Sequence, residues 1–490
     1  MQTAHLRWRI GINLRRIPLR GLLLLINIVF FSNVLTAQQV LKPKYNVLFI
    51  AADDLNCDLN TYGHNSVKSP NVDRLSQMGT RFDRAYCQFP LCSPSRTSIM
   101  TGLRPSTIQV FDLQKHFRDV RPDIVTLPQL FEKAGYFTAR VGKIYHFGNP
   151  GQIGTDGLDD TLSWKERYNP RGREKDEEDL LIDYTPQRGK GASLNWAMAE
   201  GSDEEQTDGK VATQTIELLK NHHTQPFFIA TGFYRPHCPY VAPKKYFDLY
   251  PLEGIQLPVD PVNDLDDVPQ AAQFTKPPNW DVSEENRRRA VRAYLATISF
   301  VDAQMGRIFQ TMDSLDLWKN TIVVFWSDHG YATGQHSQWQ KQTLFEESAR
   351  VPLIIYAPGM QHKGAGSPAV VELLDVYPTL ADLCGLNSPA DLEGASLAPL
   401  LKNPYQTWNR PAFTQTWRGK FPGYSVRTER WRYTEWEHGK EGIELYDHQN
   451  DPKEWHNLAD DSQYAPVRAE LKALLDNNWP ADVWTPLQKQ

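Results

Sequence analysis

The chain has 490 residues, of which 40% are hydrophobic, 11% aromatic and 23% charged. That balance belongs to a globular protein and excludes a disordered tail, a coiled coil and a collagen-like fibre. With 53 Lys and Arg against 58 Asp and Glu, the formal net charge is −5, so no global basic surface is available to hold nucleic acid. The length predicts two packed domains, or one large domain with an appendage.

Residues 1–20 carry Arg7, Arg9, Arg15, Arg16 and Arg20 and no acid, residues 21–31 read GLLLLINIVFF, and Ala37 follows. A basic stretch, an apolar core and a small residue make a secretory signal. A single-span membrane anchor is the competing reading, but the apolar core falls short of the ~20 residues a span needs. The cleavage site is imperfect, with Leu35 where a small residue is preferred. Removal of residues 1–37 takes away five positive charges and no negative one, moving the net charge from −5 to −10. Export to the periplasm or the medium is expected, with no stable membrane span after cleavage. That compartment is oxidising. Cys57, Cys87, Cys92, Cys238 and Cys384 are too few for a disulfide scaffold, and the odd count asks which one is special. Free thiols are expected, with Cys57–Cys87 and Cys238–Cys384 as alternative pairings.

In chain order, YNVLFIA (45–51) is a short apolar run ending at Asp53-Asp54, and it reads as a buried parallel strand. PFFIATG (226–232), TIVVFWSDHG (321–330) and VPLIIYAPG (351–359) read the same way. Residues 125–135 and 290–315 have helical patterns. Strand–helix alternation over roughly 350 residues predicts a large α/β domain with helices on both faces of a mostly parallel sheet. Ligands in such folds collect at the carboxyl ends of strands. Asp53-Asp54 and Asp328-His329 each follow a strand directly, so both should face that crevice. The segments 150–210 and 255–290 are polar and Pro-rich, and read as long surface insertions of the kind that build substrate pockets. From about Pro411 the aromatic runs 412–417, 423–426 and 431–436 predict a small antiparallel sheet, with a helix near 464–477 packed on it. Glu444–Asp447 and Asn450-Asp451-Pro452 read as a strand and a turn. The expected organisation is a signal peptide at 1–37, a catalytic domain at 38–405 and a C-terminal subdomain at 406–490.

The sharpest local feature is Cys92-Ser93-Pro94-Ser95-Arg96 followed by Thr101-Gly102. Acids stand at Asp53-Asp54 and Asp328-His329. Bases are dispersed: Lys143 and His146 in GKIYH, His237 in YRPH, and His336 and Lys341 in HSQWQK. Taken one at a time, these are a buried cysteine, turn carboxylates, surface charges and satisfied histidines. Taken together and in this order, from about residue 44 to about residue 460, they resemble the type I, formylglycine-dependent sulfatases. The nearest branch in pattern is that of iduronate-2-sulfatases and related polysaccharide sulfatases.

The resemblance implies an alkaline phosphatase-like fold. It implies oxidation of Cys92 to formylglycine (3-oxoalanine) by a formylglycine-generating or anaerobic sulfatase-maturing enzyme. Asp53, Asp54, Asp328, His329 and the matured Cys92 would surround one divalent cation, Ca²⁺ first and Mg²⁺ second, since carboxylate oxygens suit hard ions. Many sulfatases have Asn where His329 stands, and an imidazole is a softer ligand. The cation would serve as a Lewis acid. By the same resemblance, Arg96 and Lys143 stabilise the hydrated aldehyde, and His146 takes the proton that releases sulfate. His237 and Lys341 hold the sulfate, and one of them protonates the leaving alcohol. Weaker candidates for the sugar are His336, Trp417 and Arg418, the last because Arg grips carboxylates in two-pronged fashion.

The chemistry has its own logic. A hydrated aldehyde puts two hydroxyls on one carbon: one attacks sulfur, and the other then collapses to the aldehyde and expels sulfate. A plain serine or cysteine has no such exit, and the difficult step is split in two. A helix starting after Pro94 would favour an oxyanion at its N-terminus. The implied reaction is hydrolysis of a sulfate ester on a carbohydrate, either a 2-O-sulfated uronic acid or an oligosaccharide of a marine polysaccharide such as ulvan or carrageenan. The alternatives are a phosphoester or phosphonate monoester hydrolase on the same fold, and a catalytically silent protein that binds sulfated glycans.

Overall fold

The structure is a computed structural model and describes residues 45–479. The leader expected at 1–37 lies outside the described residues. No helix among the described residues is long and apolar enough to cross a membrane.

Asn46–Asp53 is buried along its whole length because its alternate side chains feed two different cores. Leu48 and Ile50 enter one apolar cluster with Val211, Tyr294 and Ile308. Val47 and Phe49 enter another with Ile99, Phe131 and Leu380. A strand alternates its side chains between faces, so an unbroken apolar run demands a cover on each side. Glu284–Ser314 and Thr207–His222 supply one cover, and Cys92–Thr101, Leu127–Lys133 and Val376–Cys384 the other.

The sheet has nine strands. Asn46–Asp53 pairs in parallel with Phe227–Pro236 on one side and Thr321–Ser327 on the other. Phe137–Gly142 and then Glu166–Tyr168 extend the parallel part. On the opposite flank Leu353–Tyr356 runs antiparallel to Thr321–Ser327, Thr80–Tyr86 runs antiparallel to Leu353–Tyr356, and Ala365–Glu372 runs parallel to Thr80–Tyr86. The expectation that the run at 351–359 is a parallel strand is therefore corrected. A parallel return needs a crossover, usually a long helix. The only α-helix between Ser327 and Leu353, all described residues, is the four-residue Glu346–Ala349, so the chain re-enters the sheet at the end where it left.

The C-terminal part is a four-stranded antiparallel sheet, Ala412–Arg418, Phe421–Arg427, Trp431–Trp436 and Ile443–Asp447, in that order. The helix Ala465–Asn478 packs Leu471 and Leu475 against Phe413, Val426 and Leu445 of one face. From the sheet Trp436 and Tyr446 join Ala272, Leu344 and Phe345 in a separate apolar cluster. All five cysteines are free thiols.

Candidate active site

The parallel strands deliver the first acids. Asp53 is the last residue of its strand, and Asp54 takes φ 63°, a left-handed turn that an Asp tolerates better than most residues. Asp328 follows Thr321–Ser327 next door, and its Oδ1 accepts the N–H of Asp54 at 3.1 Å and of His329 at 3.2 Å. All three carboxylates are buried. His329 is held by a 2.9 Å bond between Nδ1 and the Gly330 carbonyl. That bond leaves Nε2 facing the cluster, 3.3 Å from Asp54 Oδ1 and 3.6 Å from Asp328 Oδ2.

Cys92 is the first residue of the helix Cys92–Thr101, not a residue ahead of it, so the helix begins two positions before Pro94. A proline in the first turn has no intrahelical N–H bond to lose. The Cys92 Sγ lies 3.3 Å from Lys341 Nζ, 3.4 Å from His329 Nε2 and 3.9 Å from Asp54 Oδ1. Burial opposes ionisation of this thiol, but Lys143 and Lys341, aided by hydrogen bonds from His146 and His237, overcome it and hold the thiol well below its ordinary range. The position therefore stabilises an anion.

Arg96 is wholly buried on the same helix. Its Nε donates to Asp328 Oδ2 at 2.8 Å, one terminal nitrogen to Asp53 Oδ1 at 3.1 Å and the other to the carbonyls of Lys143 and Ile144 at 2.6 and 3.0 Å. Every arm of the guanidinium is engaged, so Arg96 acts as a brace between two strand ends. Lys143 Nζ donates to Asp53 Oδ2 at 2.5 Å. Burial pushes Asp53 up, but Lys143 and then other cations outweigh it and hold the carboxyl below its usual range. Lys341 Nζ meets Asp54 Oδ1 at 2.5 Å as well as Cys92.

His237 follows Phe227–Pro236, the parallel neighbour of the central strand. Its Nε2 stands 3.7 Å from Asp54 Oδ2, and its Nδ1 is 2.5 Å from the Cys238 carbonyl. Burial would lower its pKa, yet Asp54 raises it to about 10. Burial lowers the pKa of His146, which is otherwise pulled up by Cys92, and its Nδ1 has no hydrogen-bond partner. The two histidines are shifted in opposite directions, His237 up and His146 down.

The structure thus brings together Asp53, Asp54, Cys92, Arg96, Lys143, His146, His237, Asp328, His329 and Lys341. It gives His336, Trp417 and Arg418 other surroundings. His336 bonds Asp264 through Nδ1 at 2.9 Å and stacks on Phe345. Arg418 donates to the carbonyls of Ala271 and Gln342 and lies over Phe274 and Trp436. Trp417 packs on Phe111. Among the described residues, no polar contact of His336 or Arg418 reaches the cluster.

Sequence reasoning missed the residues behind these. Asp208, at the start of Thr207–His222, accepts the N–H groups of Tyr234 and Arg235 at 2.8 and 3.0 Å, and Arg235 donates to the His237 carbonyl at 3.3 Å. Gly142 has φ 72°, and a Cβ there would come within 2.2 Å of the Gly232 carbonyl. The glycine lets the chain turn at Lys143 against its neighbour strand, and its place directly before Lys143 was the available signal.

A cation's donors are present. One ligand atom from each of Asp54, Cys92, Asp328 and His329 falls within 4.8 Å of the others, and Asp53 joins a second such group with Asp54, Cys92 and His237. Carboxylates flanked by an inward-facing imidazole fit a divalent ion.

Buried acids, a helix-borne nucleophile position and two unlike histidines at the carboxyl edge of a parallel sheet define a hydrolase of oxyacid esters. Residues 45–386 match the Sulfatase family model, and residues 334–479 match the model for the C-terminal region of N-sulphoglucosamine sulphohydrolase. A sulfatase of Formosa agariphila is 34% identical over 464 residues, covering 91% of this chain and 89% of that one. The iduronate 2-sulfatase of Homo sapiens is 31% identical, covering 85% of this chain and 92% of that one. A phosphonate monoester hydrolase of Agrobacterium radiobacter superimposes with a TM-score of 0.74 at 25% identity, covering 89% of this chain and 96% of that one. The chain belongs to the sulfatase family and resembles iduronate 2-sulfatase; it has the alkaline phosphatase-like fold of solved sulfatases and is a sulfuric ester hydrolase.

Proposed function

We propose that this enzyme removes O-sulfate from the end residue of a sulfated oligosaccharide, a 2-O-sulfated uronic acid or a sulfated sugar of a marine polysaccharide. The observation that carries the reading is the surroundings of Cys92 Sγ, with Lys341 at 3.3 Å, His329 at 3.4 Å and a helix N-terminus at its back. That field stabilises negative charge where the nucleophile must carry it. Once Cys92 is converted to formylglycine, its hydrated aldehyde supplies a hydroxyl to attack sulfur and a second to expel sulfate. Asp53, Asp54, Asp328 and His329 would hold a divalent cation, Ca²⁺ or Mg²⁺, whose chemistry is Lewis-acid polarisation of a sulfate oxygen.

The side chains divide the remaining work. Lys341 and Lys143 offset the charge of the sulfuryl group and of the nucleophilic oxygen. His237 would give a proton to the leaving sugar oxygen. His146, neutral, takes the proton of the second hydroxyl as sulfate departs. Arg96 keeps Asp53 and Asp328 in register. Cys92, His146, His237 and Lys341 are 1%, 7%, 4% and 8% exposed, so access is narrow and suits a chain end better than a chain middle. The similarity to iduronate 2-sulfatase supports the uronic acid among the candidate sugars. Export and cleavage near Ala37 belong to the same reading, and N-terminal sequencing of the secreted protein would test them.

The test is a panel of defined disaccharides given to protein whose Cys92 is fully converted. Sulfate release from the 2-O-sulfated uronic acid, with slower release from intact polymer, is expected. Equal rates on long chains would remove the end-acting assignment. The structural likeness to a phosphonate monoester hydrolase favours one rival. Cleavage of phenyl phosphonate with no sulfate release from any disaccharide would establish it instead.

A further inference from the structure

A cavity of about 510 Å³ is lined by none of the residues of the catalytic cluster. Its wall is the far side of the segment that leads to Lys341. Thr333, Gln335 and His336 line it, after His329 has left the cluster and before Lys341 returns to it. We propose that this cavity is a second saccharide-binding site, one that holds a sugar residue by its hydroxyls and its C–H face rather than by its sulfate.

Three observations carry the proposal. The first is a buried ring nitrogen, a donor when the imidazole is protonated. His336 is 2% exposed, its Nδ1 is committed to Asp264 at 2.9 Å, and its Nε2 has only Glu347 Oε2 nearby, at 4.0 Å, beyond hydrogen-bond reach. The second is an unused acceptor. Glu347 also lines the cavity, and among the described residues no other residue donates a hydrogen bond to its carboxylate. A buried donor beside an unpaired acceptor is costly to leave unmade. A sugar hydroxyl answers both, since it accepts one hydrogen bond and donates another. An inorganic oxyanion only accepts, so it could not satisfy the Glu347 carboxylate, although Lys68 and Lys453 also line the cavity. The third is the apolar part of the lining. Ile255, Leu257, Val291 and Leu295 contribute to it, and Trp455, fixed by a 3.1 Å bond from its Nε1 to Asp260, adds an aromatic ring. The volume lies in the range of small-molecule sites and accommodates one or two sugar residues.

The test uses the full chain carrying Cys92→Ala, so that no turnover occurs. An unsulfated glucuronic acid–N-acetylglucosamine disaccharide is titrated by calorimetry or ligand-observed NMR in saturating inorganic sulfate, which blocks the sulfate pocket. Saturable binding is expected, weakened about tenfold or more by Leu295→Trp, which fills the cavity, and about fivefold by Glu347→Gln. Trp455→Ala weakens it too, and keeps the test decisive if the buried Leu295→Trp protein does not fold. No binding at about 10 mM, or binding indifferent to these variants, would overturn the proposal. Loss of binding in proportion to added sulfate would assign the cavity to oxyanions and overturn it equally. None of these readouts depends on the sulfatase reaction, so failure here leaves that reading untouched.

Discussion

Around Cys92, three buried carboxylates meet two lysines, an arginine and three histidines. Where the C-terminal sheet meets the larger body, Glu346, Glu454 and His448 gather around Arg432. The first is buried and the second partly so, both mix acids with histidine, and by residue type alone both could hold a metal ion. They differ in what is left over. In the second cluster every carboxylate oxygen is taken. Arg432 pairs with one oxygen of each glutamate, Tyr86 donates to Glu346 Oε1 at 2.9 Å, and the Glu346 N–H donates to Glu454 Oε2 at 2.8 Å. His448 adds a further 2.8 Å contact. Among these residues no acceptor remains for an ion, and no nucleophile is present. In the first cluster the carboxylates are engaged as well, by Arg96, Lys143 and Lys341, but a cysteine sulfur stands in their midst, with Lys341 at 3.3 Å and His329 at 3.4 Å. The inventory of acids and histidines does not separate a joint from an active site. A cysteine held among cations does.

The comparison predicts crossed effects. Cys92→Ala should cost at least about 10⁴-fold in kcat/KM, because no neighbouring group can replace the nucleophile. Its unfolding free energy should change by no more than about 1 kcal/mol. Arg432→Ala should do the reverse. It takes the shared cation away from two glutamates and should cost about 3–5 kcal/mol by denaturant titration, while the protein that remains folded keeps its kcat. A Cys92→Ala protein that unfolds, or a folded but inactive Arg432→Ala protein, would break the contrast.

The segment 336–347 joins the two clusters, since it carries both Lys341 and Glu346. Its clamp is the His336–Asp264 pair. Burial alone would lower the His336 pKa, but the hydrogen bond to Asp264 and the nearby Glu347 raise it to about 9. The folded value stands above the unfolded value of about 6.5, so the stabilisation is fully present below pH 6.5 and is lost as pH rises through 9. Up to about 3 kcal/mol should disappear over that window. His336→Gln should flatten the slope of stability against pH from 6.5 to 9, and an unchanged slope would remove the clamp from the account.

Much of the fold and of the site is legible in the sequence alone. The buried strands at 46–53, 227–236 and 321–327 are unbroken apolar runs, and the acids stand directly after two of them. Thr80–Tyr86 and Phe137–Gly142 are not legible in the same way. TRFDRAY mixes charge into a strand that is buried only in part. FTARVG hides Arg140 in the core, where Asp159 pairs with it at 2.7 Å, and an arginine inside a strand gives no apolar signal. His336 illustrates the limit for sites. The sequence offers it as a weak candidate for the sugar but gives no sign that Asp264, seventy-two positions earlier, bonds its Nδ1. Asp208 escapes for the same reason, because its partners are backbone N–H groups that leave no trace in composition.

The proposed mechanism places activity in a modified Cys92. The most direct measurement is the mass of the peptide spanning Cys92, followed across preparations that differ in specific activity. Conversion to formylglycine lowers the mass by about 18 Da, as expected for an aldehyde in place of a thiol. The account predicts that sulfate release rises in proportion to the converted fraction, on a line through the origin. Full activity in protein whose Cys92 remains an intact thiol would contradict it.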